Sequence, residues 1–361
     1  MNKWLKGISL AAILAFNAHA TGNDNILISA EEAIKLIGKP NVMFAMGDNP
    51  DVYELGHIKG SVEMGAHHLH HADIVGHMHC APLFMCPDEA EEYISSKGIS
   101  NDTLVIAYDD FRGPNATGVY AYFKSFGHTN VKVLNGGRSA IKAIDPEQKI
   151  YDEIKAEKKV NKKALKKAKK ADPKDDALIA ELKAKDKEFK KKLKAQEKNL
   201  LIQKGKEPKL HAKYHIDLKK IDYDYIAGKD EIIHAVQDIL ANGDDSKYIV
   251  IDSRGMTEII GERKLDNVAR GGHIPGSKFI EWKNITDFDK RLSFKSKEEM
   301  QKVFDRYGVT KDKTIYAYCH VGAGRSTEII AALELLGYPN IKVYTGSWDE
   351  WGNDMNLPIR R

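Results

Sequence analysis

The chain has 361 residues, of which 42% are hydrophobic and 30% are charged, and its formal net charge is +4. This length exceeds what one hydrophobic core usually organises and indicates two domains, at roughly 150 residues per domain. No apolar run approaches the roughly 20 residues that a bilayer-spanning helix needs, which excludes a protein built from membrane spans.

Residues 1–20 have the pattern of a secretory signal. Lys3 and Lys6 precede an apolar run over residues 8–16, and small residues follow at Ala18 and Ala20. A basic start, a short apolar core and an Ala-x-Ala end are the features that signal peptidase reads. The alternative, an uncleaved membrane anchor, would need a longer apolar run. We therefore expect a signal peptide over 1–20, cleavage after Ala20 and a periplasmic protein.

A histidine-rich segment follows in the first half of the chain. The stretch "AHHLHHADIVGHMHCAPLFMC" holds six His and two Cys within positions 66–86. Imidazole and thiolate suit zinc or copper, so the candidate metal ligands are His77, His79, Cys80 and Cys86. Neither a standard ligand spacing nor the Cys-x-x-Cys-His haem pattern is present, so we predict no metal or other cofactor. The alternative is an exposed loop closed by a Cys80–Cys86 disulfide, which would leave Cys319 as the free thiol in an oxidising compartment.

An internal repeat organises the rest of the sequence. "GHIKGS" at 56–61 recurs as "GHIPGS" at 272–277, and "FGHTNVKVLNGG" at 126–137 recurs as "LGYPNIKVYTGS" at 336–347, the second pair at an offset of 210 residues. Each half alternates helical patterns with apolar runs, which is typical of parallel strands covered on both faces. The sequence thus predicts an α/β protein of two tandem domains, 26–145 and 214–361, each a parallel sheet flanked by helices.

A Lys-rich insert, 146–213, separates the two halves. Between positions 151 and 213 there are 22 Lys against 11 Asp and Glu. Asp172-Pro173 interrupts the insert, and five apolar residues beyond it fall on one helical stripe, namely Leu178, Leu182, Phe189, Leu193 and Leu200. We predict a helical hairpin that projects into solvent or packs on itself. It is either a solvated spacer or a docking arm for an acidic protein or a membrane surface, and nucleic acid is not an expected partner outside the cytoplasm.

The stretch "YCHVGAGRST" ends an apolar strand run at Cys319 and leads into a predicted helix. Gly322 and Gly324 permit a loop whose backbone N–H groups point at the sulfur, while the helix N-terminus and Arg325 add positive potential. A thiol is nucleophilic as the thiolate, which positive potential stabilises. The alternative is a buried structural cysteine, which would not explain why two glycines and an arginine follow it. Cys319 is therefore the predicted nucleophile, at the base of an anion cradle.

Four segments of the second half resemble a rhodanese (sulfurtransferase) domain. They are "IDSR" at 251–254, "GGHIPGS" at 271–277, the strand, cysteine loop and helix at 314–336, and "YTGSWDEWG" at 344–352. The first half resembles the catalytically silent domain that precedes it in tandem sulfurtransferases. The resemblance implies that Cys319 takes a sulfane sulfur from thiosulfate, mercaptopyruvate or a polysulfide. The resulting persulfide would then pass that sulfur to cyanide or a thiol, without a metal or an organic cofactor.

The resemblance also implies roles for individual residues. Cys319 is the nucleophile and Arg325 closes the loop, whose cradle is formed by His320, Val321, Gly322, Ala323 and Gly324. Arg254, which follows a strand beside this loop, either senses the charge of the donor or forms a buried salt bridge. The offset of 210 places Asp109 and Asn115 where Cys319 and Arg325 stand, so we expect the first domain to be inactive.

The loop departs from the rhodanese pattern in its length. Five residues separate Cys319 from Arg325, where rhodanese loops usually have four. The wider spacing is similar to that of dual-specificity cell-cycle phosphatases and of arsenate reductases with this fold. Phosphatase or oxyanion-reductase activity is therefore one alternative, and a non-catalytic protein that binds a metal or a partner is another. Because His320 stands where thiosulfate-preferring enzymes tend to carry a basic residue, a polysulfide or a larger donor is an open alternative to thiosulfate.

Overall fold

The computed structural model describes residues 24–361. The first half contains β1 (Leu27–Ile28), α1 (Ala30–Ala33), β2 (Val42–Met46), α2 (Pro50–Leu55), β3 (His57–Ile58), β4 (Val62–Glu63), α3 (Pro87–Ser96), β5 (Leu104–Tyr108), α4 (Pro114–Ser125), β6 (Val131–Leu134) and α5 (Gly137–Ile144). The middle segment contains α6 (Pro146–Ala168), α7 (Asp176–Gln196) and β7 (Ile202–Gln203). The second half contains β8 (Ile226–Ala227), α8 (Lys229–Asn242), β9 (Tyr248–Asp252), α9 (Met256–Ile259), β10 (Lys278–Phe279), α10 (Lys297–Arg306), β11 (Thr314–Tyr318), α11 (Arg325–Leu335), β12 (Ile341–Tyr344) and α12 (Ser347–Asn353).

Two five-stranded parallel sheets form the centres of the two halves. Their strand orders are β1-β6-β5-β2-β4 and β8-β12-β11-β9-β10, so the two halves share one topology. The middle strands β5 and β11 are buried along nearly their whole length because helices cover both faces, as their unbroken apolar sequences predict. The predicted fold class is confirmed. β11 pairs with β9 from Thr314 opposite Tyr248 to Tyr318 opposite Asp252, so the loops after both strands emerge at the same edge.

The helices α4 and α11 join the two halves through residues that are one repeat apart. The hydroxyl groups of Thr117 and Thr327 lie 3.1 Å apart, and Lys124 Nζ lies 2.6 Å from Glu334 Oε1. Both pairs are separated by 210 residues, the offset of the sequence repeat. Equivalent positions touch near any rotation axis, but here the contacts are also reciprocal, since Gly118 packs against Gly324 and Gly113 packs against Glu328. The halves are therefore related by an approximate two-fold rotation. One hydrophobic core runs through this contact from Val119 and Phe123 to Ile329 and Leu333.

The insert forms the predicted helical hairpin. α6 and α7 pack on each other around a small apolar cluster that includes Ala168, Ile179 and Leu182. The Nδ2 group of Asn161 donates to the carbonyl of Leu182 across the pair at 2.9 Å. The predicted apolar stripe is wrong at Leu178, which is 41% exposed, because its neighbour Ile179 faces α6 instead.

Two of the sequence predictions are not decided by this fold. The predicted signal peptide, 1–20, is outside the described residues. The domain limits at 26–145, 146–213 and 214–361 stay predictions. Within residues 24–361, none of the helices is long and apolar enough to cross a membrane.

Candidate active site

Cys319 lies directly after β11, at the carboxyl end of a central strand. It is 2% exposed and is the one free cysteine among residues 24–361. The Ser326 hydroxyl, in the first turn of α11, lies 3.4 Å from Cys319 Sγ and also 3.2 Å from the Gly322 carbonyl, so it donates to one of these acceptors at a time. When it donates to the sulfur, this hydrogen bond stabilises the thiolate. Sequence reasoning missed Ser326, although its position one residue after Arg325 in the loop motif is a usable signal.

The backbone around Cys319 depends on unusual conformations. Gly322 and Gly324 have φ values of +76° and +118°. A Cβ on Gly322 would lie 2.2 Å from the Thr345 carbonyl oxygen, so the loop after β12 packs directly against the cysteine loop. Two residues further on, Ser347 has a φ of +51°, and its hydroxyl oxygen accepts a hydrogen bond from the Cys319 N–H at 3.1 Å. A non-glycine residue in the left-handed region often marks a functional constraint, and here it fixes the backbone of Cys319.

Arg325 begins α11 and forms a two-point ion pair with Glu258. Its Nη1 and Nη2 groups donate to the two carboxylate oxygens at 2.5 and 3.1 Å. Burial opposes ionisation of Glu258, but hydrogen bonding and the charge of Arg325 outweigh it, so the pKa of this carboxyl is lowered. Burial also opposes the charge of Arg325, yet Glu258 and Cys319 together raise the pKa of the guanidinium. Arg325 thus holds a positive charge near the thiol, while Glu258 accepts hydrogen bonds from both Nη groups of its guanidinium.

His320 is a neutral imidazole beside the nucleophile. It is 8% exposed, and its Nε2 atom has no hydrogen-bond partner among the described residues. Burial is the main reason that its pKa falls to about 4, and Arg325 adds to the shift while Asp349 opposes it. The loop therefore offers an uncharged donor or acceptor at this position at neutral pH, where a lysine or arginine would offer a cation.

Arg254 forms a buried salt bridge, which is one of the two roles that the sequence left open for it. Its Nε and Nη2 groups donate to the two oxygens of Asp252 at 2.9 and 2.6 Å, and Nη2 also donates to the Gly272 carbonyl at 2.7 Å. The guanidinium carbon lies 4.6 Å from the centre of the Trp348 ring, and the residue is 1% exposed. The structural role is thus observed, and the role in sensing the charge of the donor stays a prediction.

A cleft of about 310 Å³ lies between the two halves, and residues of the cysteine loop line one side of it. The second half contributes His320, Arg325, Glu258, Arg263, Leu265 and Trp282, and the first half contributes His67, Asp109, Asp110, Arg112, Pro114 and Asn115. The approximate two-fold rotation explains this sharing, because it brings the loop after β5 opposite the loop after β11. Sequence reasoning found the cysteine loop but missed the remaining walls, since no local pattern says which distant segments face one another.

In the loop after β5, backbone N–H groups donate hydrogen bonds to a carboxyl group of the loop itself. Asp109 is fully buried, and its Oδ2 atom accepts from the backbone N–H groups of Gly113 and Ala116 at 2.9 and 3.4 Å. Burial raises the pKa of Asp109 to about 8, and the neighbouring Asp48 and Asp110 add to the shift. A carboxyl group in this position leaves the first half without a sulfur nucleophile.

The histidine-rich segment is closed by a disulfide. Cys80 and Cys86 are joined in a disulfide, so neither can supply a thiolate ligand. The ring of His79 stacks on that of His71, with 4.4 Å between centroids, and His77 stands outside this stack. Over residues 24–361, no group of three or more His, Cys, Asp or Glu side chains could hold a metal ion. In this structure the two cysteines are not available as thiolate ligands, and the absence of a metal stays a prediction.

Fold and site together define an α/β protein with a buried free cysteine in a glycine loop. A family model described as a rhodanese-like domain matches residues 29–144 and 235–354, and the chain belongs to this family. The sulfur carrier protein TtuD of Thermus thermophilus is 24% identical over 93% of this chain and 96% of its own. A Saccharopolyspora erythraea protein named "Putative thiosulfate sulfurtransferase" is 26% identical over 93% of this chain and 96% of its own.

A solved structure shows the same two-domain fold. The structure is that of SseA from Escherichia coli, described with the rhodanese fold of 3-mercaptopyruvate sulfotransferases. It superposes with a TM-score of 0.61 at 18% identity, over 90% of this chain and 98% of SseA. The predicted family, the tandem arrangement and the enzyme class, a sulfurtransferase of the rhodanese type, are confirmed.

Proposed function

We propose that this protein transfers a sulfane sulfur from a donor to a thiophilic acceptor through a persulfide on Cys319. The observation that carries the proposal is the free thiol of Cys319, which is contacted by the Ser326 hydroxyl in a glycine loop that opens on the cleft. The donor is thiosulfate, mercaptopyruvate or a polysulfide, and the acceptor is a thiol or cyanide.

Two displacements at sulfur make up the proposed reaction. The Cys319 thiolate attacks the outer sulfur of the donor, and the bond between that sulfur and the rest of the donor breaks. The leaving group departs with the electron pair, for example as sulfite from thiosulfate, and Cys319 becomes a persulfide. An acceptor thiolate or cyanide then attacks the outer sulfur and releases the Cys319 thiolate. Ser326 and the loop amides stabilise the anionic sulfur in both steps, which is preorganised electrostatic stabilisation.

The geometry of Arg325 favours sulfur transfer over oxyanion chemistry. A tetrahedral phosphate or arsenate would use the guanidinium fork for two-point hydrogen bonding. In this protein Glu258 accepts from both Nη groups of Arg325. Its carboxylate also adds negative charge to the wall of the cleft. Phosphatase and oxyanion-reductase activity are therefore the second candidates, despite the extra residue in the loop.

The test is sulfur loading of the intact protein. After incubation with thiosulfate, mercaptopyruvate or polysulfide, we expect a mass increase of one sulfur, about 32 Da. The Cys319→Ser variant should show no increase, while its Cys80–Cys86 disulfide stays intact as an internal control. Failure of every donor to load sulfur, together with hydrolysis of a phosphate ester, would replace this function with the phosphatase alternative.

We also propose that the protein is exported and works in the periplasm. The supporting observation is the Cys80–Cys86 disulfide, a bond that persists in oxidising compartments. Expression of the full chain in a bacterium should yield a mature protein that begins at Thr21 and is released with the periplasmic fraction. An unprocessed N-terminus in the cytosolic fraction would overturn the proposal.

A further inference from the structure

A second and larger cavity, of about 670 Å³, lies at the base of the Lys-rich hairpin, far in sequence from the cysteine loop. Its walls come from the end of α2, from α5, from the start of α6, from the end of α7 and from β7. This places it between the hairpin and the first domain. A cavity of this volume falls within the range of ligand-binding clefts.

The charge around this cavity is unbalanced. It is lined by five lysines, Lys142, Lys155, Lys194, Lys198 and Lys204, and by only two acids, Asp152 and Glu197. Within residues 24–361, no ion pair or side-chain hydrogen bond engages any of the five lysine ammonium groups. Three other lysines of α7, Lys185, Lys190 and Lys192, each pair with an acid one helical turn earlier. The five lysines that line the cavity have no such partner among the described residues, so their charge is available to a ligand.

The cavity also has apolar walls and a fixed shape. Leu200, which is 8% exposed, and Ile202 line it, and Leu55 stands at its edge with 72% exposure. The base of the hairpin is fixed by the Tyr151 hydroxyl, which donates to Glu197 at 3.0 Å. The backbone N–H of Leu201 donates to Asp145 at 2.9 Å, which ties the returning chain to the start of α6. A binding site with this support exists before any ligand arrives, which lowers the entropic cost of binding.

The shape of the basic surface distinguishes between the two partners that a basic hairpin suggests. A flat membrane surface would contact the projecting tip, but residues 169–176 carry three Lys and three Asp. The base of the hairpin is concave instead, and there five lysines surround the apolar side chains of Leu200 and Ile202. Such a surface complements a narrow segment that carries carboxylates on either side of an apolar side chain.

We propose that this cavity, which we call the lysine groove, is a docking site for an acidic peptide segment of a partner protein. An apolar side chain of the segment packs against Leu55, Leu200 and Ile202, and flanking Asp or Glu side chains pair with the lysines. Such a partner would be held next to a sulfurtransferase domain without occupying the cleft. The inference does not depend on the chemistry of Cys319.

The test uses the full-length protein and a fluorescent peptide of alternating Glu and Leu. We expect saturable binding that weakens with added salt, because exposed charge pairs are screened. The groove variant Lys155→Gln/Lys194→Gln/Lys198→Gln should weaken binding by about ten-fold or more, since each lost pair contributes up to about 1 kcal/mol. The matched control is Lys167→Gln/Lys169→Gln/Lys170→Gln, which removes the same charge near the tip and should bind almost as the parent does.

Three results would overturn the proposal. These are no binding of the Glu–Leu peptide, equal weakening by the groove and tip variants, or equal binding of a peptide in which Gln replaces Glu. Vesicles of phosphatidylcholine and phosphatidylglycerol form a separate arm, and vesicle binding lost in the groove variant without peptide binding would assign the site to a membrane instead. Sulfur loading of Cys319 should be unchanged in the groove variant, so failure of the docking proposal and failure of the proposed function are separable.

Discussion

Ser326 and Asp109 show how single residues in equivalent loops give the two halves different chemistry. After β11, a small thiol sits within reach of the Ser326 hydroxyl. After β5, a carboxyl group occupies the equivalent place and accepts hydrogen bonds from the loop amides. The sequence was sufficient to predict which loop holds the thiol and which the carboxyl group, because the offset of 210 residues aligns Cys319 with Asp109. It could not predict the protonation of Asp109, which depends on burial by distant segments.

Asp109 makes the stability of the protein depend on pH in an unusual direction. Its folded pKa, about 8, lies above the value of about 3.9 expected in an unfolded chain. Between these values the folded protein binds a proton that the unfolded chain does not, so stability falls as pH rises through this window. Asp109→Asn cannot titrate and keeps an oxygen for the loop amides. We expect the variant to gain stability over the parent as pH rises from about 5 to 8, by up to about 1.4 kcal/mol per pH unit.

Urea unfolding of both proteins at a series of pH values measures this difference. The matched control is Asp51→Asn, which removes an exposed carboxylate on α2. A constant difference between Asp109→Asn and the parent across the whole pH range would contradict the assignment of a raised pKa to Asp109.

At the scale of elements, the site depends on how closely the cysteine loop approaches the loop after β12. In Gly322→Ala the new Cβ would meet the Thr345 carbonyl oxygen at 2.2 Å, at a φ of +76°. We expect this variant to lose about 2–4 kcal/mol of unfolding free energy and most of its sulfur loading. Gly60→Ala is the matched control, because Gly60 has the same φ of +76° and its new methyl group would have no neighbouring atom within 4 Å.

Thermal or urea unfolding, with sulfur loading measured in parallel, checks this prediction. Gly60→Ala should lose only about 1–2 kcal/mol, the cost of the backbone conformation alone. Equal losses in the two variants would mean that the contact with Thr345 relaxes freely and does not constrain the cysteine loop.

The elements themselves could be predicted from the sequence where the signal was periodic. Buried strands such as β5 and β11 have unbroken apolar runs, and Asp172-Pro173 correctly marked the break between α6 and α7. The buried face of α7 was harder to predict. The helix has so few apolar residues that its orientation about its own axis is uncertain by one residue position, and Ile179 rather than Leu178 packs on α6. The walls of the cleft could not be predicted, since Glu258, Trp282 and His67 come together only through the packing of the two halves.

At the scale of the whole molecule, the two halves should unfold as one unit. The shared core passes through α4 and α11, and Ser326 to Leu333 on α11 are all buried. Separating the halves would expose this apolar surface, which a stable isolated domain cannot tolerate. We expect hydrogen exchange followed by mass spectrometry to give the same unfolding midpoint for both sheets in urea. The hairpin should open earlier, because its own apolar cluster is small.

Separate midpoints for the two sheets would show that each half is stable alone. In that case sulfur loading would survive unfolding of the first half, which the shared cleft does not allow. The comparison therefore tests both the interface and the contribution of the first half to the site.

The contacts between residues one repeat apart also bear on how such a chain arises. A subunit that meets its own copy on a two-fold axis places each axial residue against itself, as an isologous homodimer does. Positions 124 and 334 would then carry identical side chains, and two lysines or two glutamates facing each other would repel. In a single covalent chain the two copies can change independently, and here they have become Lys124 and Glu334, which lie 2.6 Å apart as an ion pair. The same freedom lets one loop hold a thiol while its twin holds a carboxyl group. Fusion of a symmetric pair thus allows one copy to specialise in catalysis and the other to form the wall of its cleft.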